Sequence, residues 1–459
     1  MSAEQALAGR VLELVGAAAG AGAEAAVSVE RRVLALTRFA NSYIHQNLAD
    51  DTTTIGIRLH TGGRTVTGST NVTSADGLAD LVSRTVEAVR HAPADPGWPG
   101  LAPPAPLAGQ PSFDEATAAA PPDARAELVR EFVAAGGGLE TAGYCRTGYW
   151  ASAFANSAGH AVSERTSEAA MDGIARRNGA DGMARLASAR LADLSGTELG
   201  TRAAAKARAG ADPVELPPGR YQVVLEPAAV ADLLSMLAGY GFNGRALAEK
   251  RTFAEPGADQ FDRSVTIDDD PFRADSPGHA YDLEGTPRQR LKLVDAGVTT
   301  ELAHDRRTAA QVGAASTGHG VRFFGAQDAI PGNIRLVPGD GAPAGPGPGL
   351  VVPSAAPLLA GVDRGLLVSD LWYTRVLDPK TLVVTGLTRN GVWLIEGGEI
   401  TRPVRNLRFT QSYPQALGPG SVTGIGPVAD LLPAGLLPSW PAAPPLHLAS
   451  WNFTGGASG

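Results

Sequence analysis

The stretch GLLVSDLWYTRVLDPKTLVVTGLTRNGVWLIEGGEITRPVRNLRF, residues 365–409, consists of short apolar and β-branched runs broken by turn residues. Thr381–Leu387 and Val392–Ile395 flank Thr388-Arg389-Asn390-Gly391. Asn-Gly readily supplies the positive φ values of a tight reversal, so the spacing predicts a hairpin turning at 388–391. A second hairpin is predicted upstream, where Leu291–Val294 and Val298–Leu302 flank Asp295-Ala296-Gly297. A short apolar strand, YQVVL at 221–225, leads into a helix from about Pro227 to Ala238. Leu446, Leu448, Trp451 and Phe453 are spaced to anchor a last strand, while PGDGAPAGPGPG at 338–349 cannot pack a core and reads as a mobile surface loop. Residues 219–459 therefore form an expected β-rich C-terminal domain.

Towards the N-terminus, Asp212-Pro213 and Pro217-Pro218-Gly219 bound a middle region at 113–212. It contains a helix from about Pro122 to Ala135, strands around Gly143–Phe154, His160–Thr166 and Ala184–Asp193, and a closing helix at Thr197–Ala209. Seven prolines between His91 and Ser112 mark a linker at 93–112, because proline lacks the N–H that a hydrogen-bonded element needs. Residues 1–92 read as helix, sheet, helix. The strands are Ala26–Arg31, Val33–Phe39, Tyr43–Leu48, Thr53–Leu59 and Arg64–Thr70, with a turn at His60-Thr61-Gly62-Gly63. Ser74 is the expected N-cap of the helix that follows. The fold class is α+β: an N-terminal helix-and-sheet domain, a small middle α/β region and a larger β-rich C-terminal domain.

With 459 residues the chain is long enough for two or three domains, and a charged fraction of 19% against 44% apolar residues excludes global disorder. The net charge of −8 offers no basic field to a phosphate backbone, so nucleic-acid binding is not expected. No run of about 18 apolar residues is present, which argues against a membrane span. The first residues, MSAEQALAGRVLELVGAAAG, read as an amphipathic helix rather than a signal peptide because Glu4, Arg10 and Glu13 interrupt the apolar run. A single cysteine, Cys145, cannot make an internal disulfide, and a cytoplasmic location is the expectation.

Most catalytic signatures fail on spacing. No GxxxxGK[ST] loop, GxSxG elbow or HExxH helix occurs, and no two of the eight histidines are closer than about fifteen residues. Asp268-Asp269-Asp270 offers oxygen ligands to a hard cation, with a solvated turn as the more ordinary reading. Cys145 lies in a strand-like segment and reads as a buried, inert thiol.

YDLEGTPRQRLKLVDAGVTTELAHDRRTAAQVGAASTGHGVR, residues 281–322, resembles the TldD/PmbA family of peptidase-related proteins, with its [FY]DxEG element, hairpin, short helix and STG element. Residues 365–409 are similar to that family's GLLVT-[ED]-L segment and its later W-[IV]-E-[NG]-GEI-xxPV stretch. The resemblance implies one of two subunit types that pair as a heterodimer. TldD-type chains carry an HExxxH zinc motif, and TldE-type (PmbA) chains lack it. Laid against that motif through VVLEPAAVADLLSMLAGY, Ser235 falls at the first His, Met236 at the Glu and Tyr240 at the second His. None of the three side chains suits zinc hydrolysis at neutral pH. The resemblance thus implies a TldE-type, non-catalytic subunit, with no metal or cofactor in this chain and zinc in a TldD-type partner.

Such a subunit would shape a channel for unfolded peptides or peptide natural-product precursors, held by main-chain hydrogen bonds at unpaired strand edges of the β-rich half. Asp282, Glu284, Ser316 and Thr317 are the substrate-contacting candidates, with the two carboxylates meeting a peptide amino terminus or else capping the turn at Gly285. Two alternatives stay open. One is a stand-alone hydrolase or tailoring enzyme using His304, His319, Asp282 and Glu284; the other is a regulatory binding protein.

Overall fold

The computed structural model describes residues 1–323, 325–341, 349–435 and 439–456. Part of the glycine- and proline-rich stretch expected to be a surface loop, 342–348, lies outside the described residues.

Six antiparallel strands form the first sheet: β1 (Glu24–Ala40), β2 (Tyr43–Thr61), β3 (Arg64–Thr70), β4 (Glu140–Asn156), β5 (Ala161–Arg177) and β6 (Ala180–Ser188), in the order β3-β2-β1-β4-β5-β6. The paired segments expected at 26–39 and 43–59 fuse into two long strands reversed at Asn41-Ser42, both with positive φ. The Gly62-Gly63 turn forms as the sequence predicts. Alternation along these strands separates two faces. Val27, Val29, Ile55, Ile57 and Leu59 pack against α1 (Ala3–Ala19) and α2 (Ala75–His91). Ser74 caps α2 by accepting from Gly77 N at 3.3 Å. Further along the sheet, Cys145, Met171 and Ala175 pack against α4 (Pro122–Ala135) and α5 (Gly196–Ala209), beyond a single-turn α3 (Glu115–Ala118). The segment expected to be a strand at 184–193 divides into β6 and a 3₁₀ turn, Leu191–Asp193.

The sheet crosses the proline-rich stretch. β1 pairs with β4 along fourteen residues, so 93–112 does not separate two sheets. The stretch is a strap tied to the first sheet and to the C-terminal half: Trp98 Nε1 donates to Glu24 at 2.7 Å, Ala102 O accepts from Asn156 at 2.8 Å, and Asp95 pairs with Arg307.

In the C-terminal half, β7 (Gly219–Leu225) pairs in parallel with Arg364–Asp378 and antiparallel with Leu446–Gly456. Leu446–Gly456 pairs with Leu407–Ser412, which pairs with Val383–Glu396, which returns to Arg364–Asp378. Five strands thus close on themselves, and closure pairs both sides of Arg364–Asp378 over residues 365–368. The largest core lies between this closed sheet, a smaller six-stranded sheet and α6 (Pro227–Met236), whose Val230, Leu233 and Leu234 are fully buried.

The predicted reversal at Asn390-Gly391 does not occur. Val383–Glu396 is one strand running through it, and the chain reverses earlier, between Asp378 and Val383. Asn390 and Gly391 keep positive φ, but the conformation makes an irregularity opposite Val368–Asp370. The side-chain amide of Asn390 donates to buried Asp370 at 3.2 Å, and this tertiary contact fixes a bulge where local preference favoured a turn.

Candidate functional site

Two segments of the C-terminal half, 279–288 and 316–322, reach the face of the first sheet opposite the helices. The segment Tyr281-Asp282-Leu283-Glu284-Gly285 folds on its own aspartate. Asp282 Oδ1 accepts from the amides of Glu284 (2.9 Å) and Thr286 (3.0 Å), and Oδ2 accepts from Gly320 N (2.8 Å). Short aspartate side chains favour such local bonds to backbone amides. Burial, with Glu284 adjacent, pushes the Asp282 carboxyl up to about 7. Gly285 has φ +76°, and a Cβ there would lie 2.2 Å from the Phe154 ring, so only glycine lets the turn settle on β4. The Gly285 carbonyl meets His160 Nε2 at 2.7 Å.

Glu284 joins the two halves. Its Oε1 accepts from Arg58 Nη1 on β2 and from Gln327 Nε2, both at 3.0 Å, and its Oε2 accepts from Arg306 N at 2.8 Å. Arg58 Nη2 also donates to Gln327 Oε1 at 2.9 Å, and Gln327 donates to Asp305 at 2.6 Å. Asp305 caps the short helix Arg306–Val312 through Thr308 N. Arg58 and Gln327 were invisible to sequence reasoning: Arg58 lies 226 residues from Glu284, and no local spacing signals that pair.

Ser316 and Thr317 hold a turn. Both hydroxyls bond to the His304 carbonyl, at 3.3 and 3.1 Å, and Thr317 Oγ1 accepts from His304 N at 2.8 Å. Gly318, with φ +72°, passes so close to the Pro287 carbonyl that a Cβ would be 2.3 Å from it. His319 is fully buried, with Nε2 2.9 Å from Asp269 and Nδ1 2.9 Å from Thr317 Oγ1. Burial lowers the pKa of both His304 and His319. The four residues of the stand-alone hydrolase reading are therefore neighbours, but each is bonded into the loop framework.

The aspartate triplet is not a solvated turn. Asp269 is buried between His319 and Asn333 N, whereas Asp270 pairs with Arg290 near the surface. Cys145 is buried on β4, and burial pushes its thiol up to about 12.

Between the sheet face and these loops lies a cavity of about 580 Å³, lined by Ser28, Arg58, Phe154, Glu164, Asp282 and Arg288 among others. A second cavity of about 220 Å³ shares Arg58, Thr67 and Arg322 with it and adds Glu284. Of the four predicted substrate-contacting residues, Asp282 lines the first cavity and Glu284 the second; Ser316 and Thr317 line neither.

The helix aligned with the zinc motif, α6, does not fit the metal. Ser235 Oγ donates to Ala231 O at 2.8 Å within the helix, and Met236 and Tyr240 pack against the large core. Among the described residues, no three of His, Cys, Asp and Glu are grouped to hold a metal ion. Beyond α6 the helix widens over Leu237–Gly241, with Phe242 N donating to Leu237 O at 2.8 Å.

Family profiles match two parts of the chain. The PmbA/TldA metallopeptidase C-terminal domain covers residues 218–455, and the PmbA/TldA metallopeptidase domain 1 covers residues 25–89. The chain belongs to the TldD/PmbA family. Among curated protein sequences none matches it. Solved structures of similar fold include TldE from Thermococcus kodakarensis, with 16% identity, TM-score 0.84, and coverage of 98% of this chain and 100% of that one. A protein from Thermotoga maritima described as a modulator of a DNA gyrase has 17% identity, TM-score 0.80, and coverage of 98% and 100%. A protein from Bacteroides thetaiotaomicron with a similar description has 18% identity, TM-score 0.80, and coverage of 99% of each chain. At these identities the likeness shows that the family fold extends over nearly the whole chain. No helix among the described residues is long and apolar enough to cross a membrane.

Proposed function

We propose that this chain is a TldE-type subunit of a heterodimeric metallopeptidase, non-catalytic itself, which shapes the path of an unfolded peptide for a zinc-bearing TldD-type partner in the cytoplasm. The observation that carries the reading is α6. Two ligands five residues apart face one ion where a helix widens to i→i+5 bonding. The widening is present at Leu237–Gly241, while Ser235, Met236 and Tyr240 supply neither ligand nor general base. A widened turn thus adjoins the aligned positions, and their side chains supply no zinc chemistry, which supports the reading. The fold likeness to TldE over 98% of the chain supports the same assignment.

A peptide path along the two cavities accords with this role. The larger, at about 580 Å³, lies within the range for ligand sites, about 300–1,000 Å³, and the smaller, at about 220 Å³, falls below it. The closed C-terminal sheet pairs both sides of Arg364–Asp378 only over residues 365–368. One edge that reaches the path is β3, which beyond Arg64 pairs with β2 and contributes Thr67 and Ser69 to the larger cavity.

Reconstitution tests the proposal. The chain purified alone should contain no stoichiometric zinc and cleave no unfolded peptide, and a TldD-type partner should co-purify with it and restore both. Stoichiometric zinc or peptidase activity in the chain alone would overturn the reading.

A further inference from the structure

The charges of the larger cavity can be accounted for one by one. Glu164 is engaged by His279 Nδ1 at 2.8 Å and by Ala280 N. Arg58 is engaged by Glu284 and Gln327, and Asp282 by three backbone amides. Glu30 is exposed to the cavity without a described partner, and Arg288 is the buried exception. It is only 3% exposed, yet its Nε and Nη1 are buried without an acceptor, and no described carboxylate comes within ion-pairing distance. Nη2 donates to no described group either and is the nitrogen left to meet the cavity that Arg288 lines. Gly332 allows the guanidinium to lie there, since a Cβ at that position would be 2.6 Å from Nη1. Arg322, exposed at the cavity mouth, has one long bond to Thr67 Oγ1 at 3.4 Å.

A buried guanidinium without a partner is costly, and a carboxylate is the group best matched to it. Glu30, Glu164 and Asp282 line the same cavity and disfavour a doubly charged phosphate relative to a singly charged carboxylate. We propose that the cavity between the first sheet and the 279–288 loop is a carboxylate-binding subsite, in which Arg288 anchors the carboxylate of an extended peptide and Arg322 guides it in. This rests on the peptide-path reading above and adds to the polarity expected from the sequence: the buried group left without a partner is a cation, so the cavity receives the acidic end or an acidic side chain of the peptide at Arg288.

The test uses the full-length chain without partner and a fluorescein-labelled, otherwise uncharged unfolded octapeptide in three forms: free C-terminal acid, C-terminal amide, and amide with one internal Glu. Anisotropy titrations should show the acid binding at least about tenfold more tightly than the plain amide. Tight binding of the internal-Glu amide would assign the subsite to a side-chain carboxylate; weak binding would assign it to the C-terminus. Arg288→Met should remove the preference and Arg288→Lys should keep part of it. Should Arg288→Met not fold, hydrogen exchange on the unaltered chain decides, with protection by the acid at 279–288 and 320–322 and none by the amide. Equal binding of all three peptides, no binding of any, or protection elsewhere overturns the subsite. Partner-restored activity with no carboxylate preference would refute the subsite alone, whereas a carboxylate preference in a chain that itself holds zinc would refute the TldE-type reading alone.

Discussion

Gly285 is the residue on which the DxEG turn depends, because the left-handed φ and the contact with Phe154 both exclude a side chain. Gly285→Ala is expected to lower stability by about 2–4 kcal/mol, read from the urea midpoint, with the Phe154 ring unable to swing away from its buried place. Glu284→Ala leaves Arg58 without its ion pair and should cost about 3 kcal/mol in the same measurement. Asp232, half-buried on α6, gives a pH-dependent prediction. Burial pushes its carboxyl up to about 7 against hydrogen bonds from Thr374 and Tyr413. The folded chain then holds a proton that the unfolded chain releases near pH 4, so this group weakens the fold as pH rises from about 4 to about 7. Asp232→Asn imitates the protonated form. It should match the parent near pH 3 and exceed it by about 2–4 kcal/mol at pH 8, as measured by parallel denaturant titrations.

At the scale of elements, local signals held where the local chain decides the outcome. Ser74 capped α2, Gly62-Gly63 turned β2 into β3, and the helix expected at 122–135 formed with those bounds. They failed where a distant group outbids local preference, as at Asn390-Gly391, whose turn propensity is turned into a bulge by Asp370. Asn390→Ala removes that bond and leaves alanine at φ +58°, so a loss of about 2 kcal/mol is expected, measured by thermal or urea unfolding. The candidate site divides in the same way. The DxEG and STG elements could be picked out from sequence because their glycines and their short polar side chains act within a few residues. Arg58, Arg288 and Gln327 were not legible, since an isolated arginine or glutamine in a strand or loop has the same local pattern whether it faces solvent or a cavity.

At the scale of the whole molecule, the proline-rich stretch expected as a linker is a strap tied to both halves. Proteolytic nicking within 93–112 should leave the two fragments co-eluting on size-exclusion chromatography under native conditions, because β1 and β4 remain paired along fourteen residues. Separation of the fragments without denaturant would refute this. The sequence by itself determined the α+β class, the β-rich C-terminal half and most of the helices, all of which depend on residue chemistry or on neighbours a few positions away. Only the tertiary structure decided that one sheet spans the proline-rich stretch, that five C-terminal strands close on themselves, and that Arg288 is left unpaired in a cavity. Strand partners and charge balance are set by groups hundreds of residues apart, and a buried charge shows its role only when everything packed around it is in place.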